Sequence, residues 1–199
     1  MQFHISIQIK SPERRIDYSD KILLTGSCFT EHIGNSLAES KFSVLQNPNG
    51  ILFDPVSVCK NLLSYIDNKQ YNESDLFQLN EVWHSWQHHS RFSNINLKQA
   101  VENINASQQN AHEFLKAANW LIITFGSSFS YRLVKQSESS KALPSLRAKR
   151  SKEGIGEAGS GVANCHRAPA QWFNKHLLKI EETIYMMETC YGKLMQFNP

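Results

Sequence analysis

Ser27 and Cys28 stand side by side in KILLTGSCFT, and either side chain is of a type that can act as a nucleophile. They lie where the apolar run Ile22-Leu23-Leu24 stops and a helical pattern begins. A serine hydroxyl attacks a carbonyl at neutral pH only when a base takes its proton and donors stabilise the developing oxyanion. A strand-to-helix turn offers such donors in the unpaired N–H groups and the positive end of the helix. Gly26 permits the tight turn. The same small residues also suit an ordinary turn in which Ser27 is an N-cap or a packed side chain.

Two other turns share this character. Asn47-Pro48-Asn49-Gly50 follows the short apolar stretch Phe42 to Leu45, and Gly126-Ser127 follows WLIITF, Trp120 to Phe125. Between them the pattern alternates strand and helix. Residues 21–25 read as a buried strand. Phe29, Ile33 and Leu37 give residues 28–40 one helical face, which leads us to expect Phe29 at the start of a packed face and Cys28 buried. Gly34 inside that helix lowers its stability, so another demand must favour it. Asp54 before Pro55 marks a helix start, with Val56, Cys59, Leu62 or Leu63, and Ile66 on its apolar side. Residues 67–95 read as irregular with a short hairpin. A long helix is expected over Leu97–Ala118, and a last one over Ala170–Tyr191 with Phe173, Leu177, Ile180, Ile184, Met187 and Tyr191 inward. Strands joined by helices lie parallel, and parallel sheets place ligands at the C-terminal strand ends. All three glycine-bearing turns then fall on one edge.

The chain has 199 residues, 41% of them apolar, which suffices for a core. Its net charge of +3 marks neither a nucleic-acid binder nor a binder of acidic surfaces. The four cysteines, Cys28, Cys59, Cys165 and Cys190, form no CxxC, so reduced thiols and a cytoplasmic location are expected. No stretch approaches the roughly 18 apolar residues of a membrane span, so no membrane association is expected. Residues 136–161, rich in Ser, Gly, Lys and Arg, read as a flexible loop. Its basic run from Lys141 to Lys152 is read as solvated rather than as a nucleic-acid contact.

The strings GSCFT, NPNGILFDP, HSRFS, LIITFGSSFSYR and VANCHRAP, in this order, resemble the GSCFA-domain family over most of residues 1–198. That family is similar to the SGNH (GDSL-like) hydrolases. The resemblance implies a three-layer α/β/α sandwich with a mostly parallel, flavodoxin-like sheet. It implies that Ser27 is the nucleophile and that Gly50 donates a backbone N–H to the oxyanion hole. The third turn falls on Gly126-Ser127-Ser128. Here the chain departs from the general pattern, because no asparagine follows Gly126 closely; Asn164 is the nearest substitute, with a turn residue as its other reading. His89 and Ser90 form a family-like pair lining the pocket, although His89 also reads as a structural histidine. His166, beside Cys165, is a further pocket candidate. No metal and no cofactor are implied.

The SGNH pattern ends in an Asp-x-x-His block holding the base and its orienter. Family members run on past the position of Pro199, so this block is expected to be missing, and with it most of the rate. The chain therefore reads as a C-terminally truncated domain with 136–161 inserted. The function implied is hydrolysis of an ester, an acyl or acetyl group on a glycan being one candidate, with weak or no activity in these 199 residues. The competing function is a binding module, with a glycan or other polar ligand held by Trp83, Trp86, His89 and Arg91.

Overall fold

The computed structural model describes residues 13–133 and 173–199. Strand β1 (Lys21–Gly26) leads through Ser27 into α1 (Cys28–Glu39), then β2 (Ser43–Gln46) and α2 (Pro55–Ile66). A hairpin follows, β3 (Leu76–Leu79) and β4 (Val82–Ser85), then α3 (Leu97–Lys116) and β5 (Trp120–Thr124). A second hairpin joins β6 (Phe129–Leu133) to β7 (Phe173–Leu177), and α4 (Ile180–Phe197) follows it. The 136–161 loop, the Lys141–Lys152 run, Asn164, Cys165 and His166 lie outside the described residues.

The chain is mixed α/β around a three-stranded parallel sheet in the order β2-β1-β5. Central β1 is buried from Ile22 to Gly26, as a strand covered on both faces must be. Leu23 joins Leu52, Val58, Cys59, Leu62, Tyr65, Ala111, Leu115 and Cys190 in the main core, which ties α2, α3 and α4 to one side of the sheet. Thr124, in register with Gly26, reaches Thr30 of α1. The Asp54 carboxylate caps α2 by accepting from the Ser57 N–H at 3.0 Å. The β3–β4 hairpin packs on α3 through Tyr71, Leu76, Ala100 and Ile104. At the start of the sheet the Trp120 indole N–H donates to Asp20, which also pairs with Arg14.

Three expectations are corrected. The last helix begins at Ile180, because Phe173–Leu177 is a strand pairing antiparallel with Phe129–Leu133. Its inward face carries Met186, Cys190 and Leu194, whereas Ile180, Ile184, Met187 and Tyr191 are exposed. In α1 the buried residues are Thr30 and Gly34, while Cys28 and Phe29 are exposed. Small residues win there because α1 lies close to the sheet: a Cβ on Gly34 would sit 1.7 Å from Gln46 Oε1. That close approach is the demand that keeps a glycine in the helix.

Candidate active site

The three turns meet at the C-terminal ends of β1, β2 and β5. Backbone bonds join them: Leu52 N–H donates to Gly26 O at 2.8 Å, and the N–H groups of Gly126 and Ser127 both donate to Phe53 O. The Gly26 N–H donates to Asn47 Oδ1 at 2.8 Å. A Cβ on Gly126 would lie 3.2 Å from Ser27 Cβ, so the third turn runs directly past the serine.

Ser27 is the N-cap residue of α1, yet its side chain makes no capping bond. The hydroxyl turns instead to Thr124, with 3.0 Å between Ser27 Oγ and Thr124 Oγ1. Thr124 Oγ1 also accepts from the Ser27 N–H at 3.0 Å and lies 2.5 Å from Thr30 Oγ1. The Ser27 N–H has a second, longer acceptor in Thr124 O, at 3.3 Å. Ser27 is 6% exposed, beside the exposed Phe53.

Gly50 sits in a turn built by its surroundings. Its φ of +96° suits glycine, and a Cβ there would lie 2.1 Å from His89 Cβ. Gly50 N–H donates to Asn47 O at 2.8 Å, so this proposed oxyanion donor is held inside the turn. Arg91 Nη2 donates to the carbonyls of Asn47 and Pro48, and the Ser107 hydroxyl donates to Pro48 O. Asn49 Nδ2 donates to Asn61 Oδ1 at 2.7 Å in the layer beneath.

His89 closes onto this turn. Its N–H donates to Asn49 O, and its Nδ1 accepts from the Arg91 N–H at 3.2 Å. Ser90 opens the one-turn 3-10 helix that His89 caps. Ser128 is exposed, and its carbonyl accepts from Leu178 N–H, which ties the third turn to the end of β7.

Among the described residues no histidine is hydrogen-bonded to Ser27. His88 is buried with Nδ1 against the Ser85 hydroxyl at 2.7 Å, and burial pushes it down to about 3, so it stays neutral. His176 pairs with Glu182, which also accepts from the Lys179 N–H and from Arg132. The Lys179 N–H, then His176, hold Glu182 down at about 2. Among the described residues no group of three His, Cys, Asp or Glu is arranged to hold a metal ion, and no helix is long and apolar enough to cross a membrane.

Trp86 stacks on Phe77 with ring centres 3.6 Å apart, and Arg91 holds the Asn47–Gly50 turn. The residue that sequence reasoning missed is Thr124, whose signal was a hydroxyl two positions before Gly126 at a strand end. Asn47, which joins the first turn to the second, was visible only as a turn residue.

No curated protein and no solved structure matches the chain. The GSCFA family matches it over residues 21–199, from the first residue of β1 to the last of the chain. By that match the chain belongs to the GSCFA family.

Proposed function

We propose that the chain carries the nucleophile side of an SGNH-like serine hydrolase site, in a three-layer α/β/α arrangement, acting on an ester. The observation that carries this reading is the meeting of the three strand-end turns around Ser27, with Gly126 against its Cβ. Ser27 Oγ would attack the ester carbonyl, forming an acyl-serine as the carbon–oxygen bond to the alcohol breaks. The proton lost from Ser27 leaves with that alcohol, and water then releases the acid. Phe53 offers apolar surface beside Ser27 for the acyl group. The third turn, exposed at Ser128, supplies polarity for the alcohol side, which a glycan would fit.

The oxyanion would draw on the N–H groups of Ser27 and Gly50. Both now bond to the chain itself, the first to Thr124 and the second to Asn47. Binding of the carbonyl therefore has to exchange at least one of these bonds.

A fluorophosphonate probe applied to the chain tests the reading. Labelling that disappears in Ser27→Ala supports it. No labelling, or labelling that survives Ser27→Ala, overturns it.

A further inference from the structure

Three hydroxyls meet in a line beneath the candidate nucleophile. Thr124 Oγ1 lies 3.0 Å from Ser27 Oγ and 2.5 Å from Thr30 Oγ1, and it accepts from the Ser27 N–H at 3.0 Å. A hydroxyl has one proton and two lone pairs. The Ser27 N–H takes one lone pair of Thr124. One lone pair and one proton remain for the two neighbouring hydroxyls, so one of them donates to Thr124 and the other accepts from it.

Two directions satisfy that count. If Ser27 donates to Thr124 and Thr124 to Thr30, the Thr30 proton is left over. Thr30 is fully buried and has no further hydrogen-bond acceptor among the described residues, and a buried donor without a partner is the costlier defect. If Thr30 donates to Thr124 and Thr124 to Ser27, every proton inside the protein is used. The only proton left over is that of Ser27, which keeps a 6% exposure where Thr30 has none, and a proton there can go to substrate or base. The second direction is therefore favoured.

We propose that Thr124 is a positioning residue that donates a hydrogen bond to Ser27 Oγ, supports negative charge on that atom and leaves the serine proton free for the pocket. Thr30 is the outer member of the same chain of donors. Donation to an ionised acceptor is stronger than donation to a neutral one, so the support grows as Ser27 loses its proton. The proposal rests on Ser27 as the nucleophile, but the donor can be measured without turnover.

The measurement replaces the hydroxyl with a titrating thiol, in Ser27→Cys combined with Cys28→Ser to remove the neighbouring thiol. The rate of alkylation at position 27 is followed against pH by peptide mass. Adding Thr124→Val is expected to raise the apparent pKa of that thiol and to slow its alkylation at pH 7 by about tenfold, the scale of one hydrogen bond to an ionised group. Adding Thr124→Ser is expected to restore the rate to within about twofold, because the hydroxyl returns. A change below about twofold with Thr124→Val, or a serine variant that behaves like the valine one, overturns the proposal. If the valine variant does not fold, Thr124→Ala gives the same comparison. Fluorophosphonate labelling reports on the hydrolase reading and thiol titration on Thr124, so either can fail without the other.

Discussion

Gly26 and Thr124 meet backbone to backbone: a Cβ built on Gly26 would lie 2.0 Å from Thr124 O and 2.7 Å from Thr124 Oγ1. The φ of Gly26 is +140°, a region that residues with side chains rarely adopt. The glycine of GSCF is thus required by the contact between β1 and β5, on the side where Ser27 is presented. Gly26→Ala is expected to destabilise the protein by more than about 3 kcal/mol, since neither backbone can yield without breaking the sheet. Urea unfolding of the variant checks this, and a loss under about 1 kcal/mol would contradict it.

Gly34 and Gln46 form a softer version of the same contact. A Cβ at position 34 would meet Gln46 Oε1 at 1.7 Å, but that oxygen ends a flexible side chain whose Nε2 donates to Asn35. Alanine favours a helix over glycine by about 1 kcal/mol, while overpacking costs about 1–3 kcal/mol. Gly34→Ala alone is expected to be mildly destabilising. In a Gln46→Ala background the amide end is gone and only the Cβ of residue 46, 3.0 Å away, remains, so the same substitution should cost less. A double-mutant cycle by thermal unfolding reads that coupling directly.

Parts of this arrangement were legible in the sequence for physical reasons. Asp54-Pro55 marked α2 because an acceptor and a fixed φ at a helix start act locally. WLIITF and ILL were legible as strands because a buried parallel strand is continuously apolar. The parallel order then put the three turns on one edge. What failed depends on distant partners. FNKHL continues the four-and-three spacing of α4, and only its pairing with Phe129–Leu133 makes it a strand. The apolar stripes of α1 and α4 pointed to the wrong faces, because close approach to the sheet in α1 selects Thr30 and Gly34 instead. The hydroxyl line through Thr124 was invisible, since Thr30 and Thr124 are 94 positions apart.

Acid should act on this protein in two separable steps. His88 is buried and held down at about 3, chiefly by burial and then by Lys69. The unfolded chain takes up this proton near 6.5 and the folded chain does not, so stability falls as the pH drops from about 6.5 towards 3. Glu182 is depressed to about 2. Its contribution is complete above the ordinary carboxylate range near 4.3 and is lost as the pH falls through about 2. His88→Asn, which keeps an acceptor near the Ser85 hydroxyl, should flatten the upper step. Glu182→Gln should flatten only the lower one. Urea midpoints at pH 7, 5 and 3 separate them, and a lower step unchanged in Glu182→Gln would show that this carboxylate does not contribute.

The thiol next to Ser27 provides the last test. Cys28 is exposed at the first position of α1, while Cys59 and Cys190 are buried against each other between α2 and α4. The side-chain hydrogen bond with Cys190, then burial, push the Cys59 thiol up, so it offers almost no thiolate at neutral pH. Iodoacetamide on the native protein is expected to modify the exposed Cys28, with Cys59 and Cys190 reacting only after unfolding. The hydrogen bonds of the hydroxyl line do not involve the Cys28 thiol, so Cys28→Ser should leave fluorophosphonate labelling of Ser27 unchanged. Labelling that followed Cys28 instead would move the nucleophile by one residue. It would also remove the reason for Thr124 and Thr30 to converge on the hydroxyl beside it.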